Sequence, residues 1–172
     1  ATAVNPQSRR VTLGSGSGYT LSRDVVVHEI AHQWYGDTVT PDDWSDLWMS
    51  EGMATYLAEA SWTADHAPES LDSILRRWAS FAGGVRSEFG PPTHYRTGSF
   101  GEGDIYYIPA LMWDTLRQRL GDHEFWALAT RWLTSHRFTS QDRGTLAAWW
   151  SHESGRDLTP FFSAWLSGPT EP

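Results

Sequence analysis

Apolar positions along this chain recur mostly at helical spacing. The first such segment is expected to be capped by Thr20 or Ser22 and to run to about Tyr35, with Val25, Val26, Val27 and Ile30 making it a largely buried helix. Gly36 closes it, and Thr38-Val39-Thr40-Pro41 forms a short connection. Asp42 or Asp43 then caps a second helix carrying Trp44, Leu47, Trp48, Glu51, Met53, Tyr56 and Leu57. Ala67-Pro68 opens a third over about 68–83, with Leu71, Ile74, Leu75, Trp78 and Phe81 on one stripe. Gly83-Gly84 and Gly90-Pro91-Pro92 punctuate a loop from about 84 to 104 that is expected to wall a cleft.

Helical patterning resumes with Ile105 to Leu120 and again after Asp122, through Trp126, Leu128, Ala129, Trp132 and Leu133. Ser140 or Asp142 starts another helix through Leu146, Trp149 and Trp150, and Thr159-Pro160 a short last one. The tryptophan stripes read as core and not as an aromatic binding face. Before Thr20 the signal changes. Arg9 to Leu13 reads as a strand, Ala1 to Gln7 as an edge segment beside it, and Gly14 to Gly18 as a flexible loop. The chain is therefore mainly α, with at most a residual strand or small sheet in residues 1–19 and one helical domain over 20–168.

Composition narrows the function. A net charge of −8 argues against nucleic acid or an anionic membrane surface as partner. No run approaches the roughly 18 apolar residues of a membrane span. Without cysteine there is no disulfide framework, and the compartment is left undetermined. The basic residues are all arginine, as a GC-rich bacterial genome would encode. The chain is expected to be a piece of a longer protein.

The chemistry lies in His28-Glu29-Ile30-Ala31-His32. On a helix, residues i and i+4 stack on one face, so two such histidines can hold one metal. Glu29, one step round, can reach a water at that metal. A catalytic site keeps one coordination position open, so a third and acidic ligand is needed. Glu51 is the candidate, because a second helix returning antiparallel would bring it against both histidines. Thr55, one turn after Glu51, and Asp46 are candidate oxygen acceptors for the histidines' other ring nitrogens. His66, His94, His123, His136 and His152 lack metal-like spacing and read as surface residues.

His28 to Asp37, Val39-Thr40, Trp44, Asp46-Leu47-Trp48, Glu51-Gly52 and Ala54-x-Tyr56 together resemble the zinc core of the aminopeptidase N-like gluzincin metallopeptidases. The resemblance implies the helical lobe of a thermolysin-like catalytic domain. It also implies one zinc ion per chain held by His28, His32 and Glu51, the last falling after the family's eighteen-residue spacer. Glu29 would be general base and acid. The oxyanion-stabilising Tyr of the family aligns with Tyr106, with Tyr107 as the fallback, in Tyr106-Tyr107-Ile108-Pro109-Ala110; here Ile108 stands for a basic residue and Pro109 for a glycine.

The resemblance further implies a peptide substrate, removal of N-terminal residues from it, and an upstream β-rich domain in the parent protein. No Gly-x-Met-Glu-Asn-like segment for gripping a free α-amine occurs in this sequence. Endopeptidase action, or a non-catalytic zinc- or peptide-binding module, are the alternative readings.

Overall fold

The computed structural model describes residues 3–4, 10–12, 20–66, 69–95 and 103–170. The Gly14–Gly18 segment and residues 96–102, the later part of the loop expected to wall the cleft, lie outside them. Three short strands, β1 (Ala3–Val4), β2 (Arg10–Thr12) and β3 (Thr20–Ser22), form an antiparallel sheet in sequence order, with Val11 opposite Leu21. Thr20 and Ser22 thus end a strand that leads directly into helix α1 (Arg23–Ala31).

Helix α1 stops at Ala31, a turn earlier than the pattern suggests. Gly36 takes φ 138°, and the backbone folds back so that Asp37 N–H reaches the His32 carbonyl at 2.8 Å. Nor is this helix largely buried. Of its residues only Ala31 is buried, while Val25 and Ile30 are 45% and 51% exposed. Packing on its neighbour uses the side that carries the histidines, and Val26 and Val27 are only partly buried.

A strand pair that the sequence does not announce secures the turn after α1. Strand β4 (Val39–Pro41) runs parallel to β5 (Thr139–Gln141), and Phe138 N–H donates to the Thr38 carbonyl at 2.7 Å. Asp43 caps a single 3-10 turn, Trp44–Asp46, and α2 (Trp48–His66) follows. Helix α3 spans Leu71–Phe89 behind a Ser70 cap.

The glycine pair at 83–84 does not end α3. A Cβ added at either glycine would meet nothing within 4 Å, and the helix continues because Arg86 anchors its next turn. The buried Arg86 guanidinium donates to the Trp165 carbonyl at 2.7 Å and the Gly168 carbonyl at 2.6 Å. Charge-assisted bonds of this kind contribute roughly 1.5–3 kcal/mol each, enough to offset two helical glycines at about 1 kcal/mol apiece. Gly84→Ala is accordingly expected to raise stability by roughly 0.5–1 kcal/mol, readable as a higher urea midpoint with an unchanged m-value.

Helix α4 (Tyr107–Leu120) is the central element, buried along most of its length from Ile108 to Leu120. It starts two residues later than expected, residues 103–106 forming a turn. Around it pack α5 (Asp122–Ser135), α6 (Arg143–Ser154) and α7 (Thr159–Ser167). Asp142 caps α6 as expected, accepting from Thr145 N–H at 2.6 Å, whereas Asp122 lies inside α5.

Trp48, Trp113, Trp132 and Trp150 are almost fully buried, with Trp113 at 6.3 Å from Trp48 and 5.5 Å from Trp150 between ring centroids. Tryptophan is mostly core here. The one acid on the inner part of α4, Asp114, accepts from the Tyr56 hydroxyl at 2.9 Å and pairs with Arg117 at 3.2 Å, tying α4 to α2. Among the described residues no helix is long and apolar enough to cross a membrane.

Candidate metal centre

Helices α1 and α2 pack against each other, and their contact brings three donor atoms together. His28 Nε2 lies 3.0 Å from Glu51 Oε2 and 3.0 Å from His32 Nε2, and His32 Nε2 lies 3.4 Å from Glu51 Oε2. Bonds of about 2.0–2.1 Å at tetrahedral angles would put neighbouring ligand atoms about 3.4 Å apart. The triangle is close to that size, and its chemistry, two imidazoles and one carboxylate, leaves a fourth position open. His28, His32 and Glu51 are the one group of potential ligands of this kind among the described residues.

The histidines are fixed from behind. His32 Nδ1 is 2.9 Å from the Tyr35 carbonyl, which can only accept, so this nitrogen carries the proton and Nε2 is left to bind. Tyr35 is itself buried, and its hydroxyl donates to the Ala129 carbonyl of α5 at 3.1 Å. Sequence reasoning misses this residue, because a tyrosine there reads as ordinary core. Thr55 Oγ1 approaches His28 Nδ1 at 3.4 Å.

Asp46 is elsewhere. It is buried against Arg143 at the start of α6, with Oδ1 2.6 Å from Nε and Oδ2 accepting the Arg143 N–H at 3.1 Å. The 3-10 turn aims its side chain away from the histidines, and burial pushes its pKa up against the pull of Arg143.

Without metal, His32 and Glu51 shift each other's protonation. The hydrogen bond to Glu51 raises His32 to a pKa of about 8, against the effect of burial. Burial would push Glu51 up, but its bonds to His28 and His32 prevail and hold it at about 2. Metal must displace the His32 proton, so affinity is expected to rise about tenfold per pH unit from about pH 6.5 to 8 and to level off above. Chelator-competition titrations at several pH values test this; a flat profile would contradict it.

The triangle opens into a cavity of ≈ 710 Å³. Glu29 lines it beside the ligands, as do Asp24, Thr55, Glu59, Arg77 and Trp78, the last two contributed by α3. Tyr106, immediately before α4, sits with its ring 6.0 Å from that of His28. Burial first, then the nearby Glu51 charge, raise its pKa, so the phenol keeps its proton and can donate. Tyr107 lines the cavity too, but its ring is held by Trp78 at 5.0 Å and Phe81 at 5.5 Å, and it backs on Gly103, where a Cβ would come within 2.9 Å.

The other histidines stay away from the centre. His94, His123 and His152 are exposed, the His66 side chain lies outside the described residues, and His136 is half-buried against Trp132, at 3.9 Å between rings. The surface assignment of His136 is thereby corrected: an aromatic slot between α5 and α6 takes it in.

This fold and this donor set define the helical lobe of a thermolysin-like metallopeptidase domain. The comparisons agree, and they specify the family: the chain is similar to the catalytic core of the aminopeptidase N-like gluzincin zinc metallopeptidases. Residues 12–84 match the Peptidase family M1 domain. Aminopeptidase N of Streptomyces lividans is 30% identical over 165 residues, covering 87% of this chain, and that of Lactococcus lactis subsp. lactis is 29% identical over 159 residues. The M1 zinc metallopeptidase of Deinococcus radiodurans superposes with a TM-score of 0.75 over 94% of this chain, at 26% identity. The chain spans only 19% of the length of those two aminopeptidases and 36% of the Deinococcus chain.

Proposed function

We propose that the protein containing this chain is a zinc-dependent peptidase that removes N-terminal residues from peptides, with one zinc ion per chain held by His28, His32 and Glu51. In this reading residues 20–168 form one helical catalytic domain, partnered by an upstream β-rich domain. The observation that carries it is the donor triangle, open on one side and sharing its cavity with Glu29 and Tyr106. A purely structural zinc site would be closed by a fourth protein ligand.

When bound, zinc would polarise the substrate carbonyl and lower the pKa of a water toward about 7. Glu29 would be the proton acceptor for the attacking water and the proton donor to the departing amine. Tyr106 donates its phenolic hydrogen to the oxygen that becomes negative as the carbonyl is attacked. The Tyr35 carbonyl and Thr55 keep the imidazoles aimed throughout. Support for exopeptidase action comes from the relatives named aminopeptidase N.

The test is hydrolysis by the full-length protein of aminoacyl reporters against the same peptides with blocked amines. Cleavage of the free-amine set alone is expected. Cleavage of both would replace this reading by an endopeptidase, and bound zinc with no turnover would leave a metal-holding module.

A further inference from the structure

Gly52 follows the ligand Glu51 inside α2, a position where glycine costs about 1 kcal/mol against alanine. The reason lies across the helix crossing. A Cβ at Gly52 would sit 2.3 Å from Pro109 Cβ, 3.0 Å from its Cγ and 3.3 Å from its carbonyl carbon. These are atoms of a rigid ring and of backbone, so no rotamer change could relieve the overlap. Helices α2 and α4 touch here with only the Pro109 ring between the two backbones, one residue from Glu51 and three from Tyr106.

Pro109 has a second fitness for its place. It stands in the first turn of α4, where helix N–H groups lack intrahelical partners, and it is buried. Tyr106 precedes the helix and makes no capping hydrogen bond with its side chain. Proline fits that turn because its ring holds φ near the helical value.

We propose that the Gly52–Pro109 contact is a positioning device that sets the distance between the Tyr106 phenol and the metal ligands. The proposal rests on the peptidase reading for its kinetic consequence, but the distance itself can be measured without turnover. Gly52 and Pro109 touch no reacting atom; both act through Tyr106.

Gly52→Ala in the full-length protein is expected to keep zinc affinity and KM and to lose about 100-fold in kcat, the cost of misplacing a catalytic group by about 1 Å. In a Tyr106→Phe background the same change should cost less than about twofold, because the group it displaces is already gone. Gly52→Ala combined with Pro109→Gly should regain most of the loss, since the new methyl occupies the space the ring vacates. The independent readout is the fluorine resonance of 3-fluorotyrosine, assigned through Tyr106→Phe, on adding Co2+. Its paramagnetic shift falls steeply with distance and should be smaller in Gly52→Ala and restored in the double variant.

An undiminished loss in the Tyr106→Phe background, a fall in zinc affinity, or an unchanged paramagnetic shift in Gly52→Ala would each overturn the proposal. If wild type binds metal but hydrolyses nothing, the peptidase reading fails, and the paramagnetic comparison still decides the positioning claim.

Discussion

Glu51→Ala is expected to lower zinc affinity on the order of a thousandfold, one ligand's share of the roughly 10–16 kcal/mol that a four-ligand structural zinc site supplies. Peptidase activity should fall to background with it. The effect is large because Glu51 is the one anionic donor, and it is buried at 7% exposure where no other described carboxylate completes the triangle. The metal-free protein also suffers, with a pH signature. His32 has its pKa raised, so its stabilising share is fully present below its ordinary 6.5 and is lost as pH rises through about 8. Glu51 has its pKa lowered, so its share is present above its ordinary 4.5 and lost as pH falls through about 2. The contribution is therefore greatest from about pH 4.5 to 6.5, on the order of 2 kcal/mol from the His32 shift. Urea unfolding of the metal-free proteins at pH 5.5 and 9, with zinc content by elemental analysis, checks both halves. Retention of zinc at wild-type affinity would exclude Glu51 from the ligand set.

What the sequence made legible is what local periodicity controls. The two histidines four apart on a helix, and an acid on a second helix that doubles back, could be aligned without coordinates because helical spacing leaves little freedom. Tyr106 was reachable only through resemblance, since nothing in Tyr106-Tyr107 distinguishes the ring facing His28 from the ring held by Trp78 and Phe81. Pairings between distant segments were not legible. Asp46 read as a neighbour of the histidines because it is close to them in the chain, yet its partner is Arg143. The β4–β5 pair joins Val39-Thr40-Pro41 to Thr139-Ser140-Gln141, two stretches too short to announce a strand. The run of α3 past Gly83-Gly84 depends on Arg86 reaching the end of α7. In each case a tertiary partner overrode a local signal.

The departures from simple rules collect at the site. A helical glycine, a proline in a buried first turn, and three ionisable groups within hydrogen-bonding distance of one another would all count against stability in a scaffold with no task. Here they collect where α1, α2 and the start of α4 meet. The exposed Ile30 and Trp34 do not line the cavity, whereas the exposed Val25 does.

Glu29→Gln separates metal binding from chemistry. Glu29 is exposed to the cavity and no part of the donor triangle, so the amide is expected to bind zinc as wild type does and to change stability by less than about 0.5 kcal/mol. It preserves shape and hydrogen bonding but cannot accept the proton of the attacking water. Loss of a positioned general base typically costs about 10²–10⁴ in rate, and in the proposed mechanism the same group also returns the proton to the leaving amine, which places the expected loss in kcat at the upper end of that range. KM should change little, because in the proposed mechanism the side chain meets water and not substrate. The measurement is steady-state kinetics on a free-amine reporter with zinc quantified in the same sample. Turnover within about tenfold of wild type would remove Glu29 from the proton path, whereas turnover lost together with zinc would mean that its carboxylate helps to hold the metal.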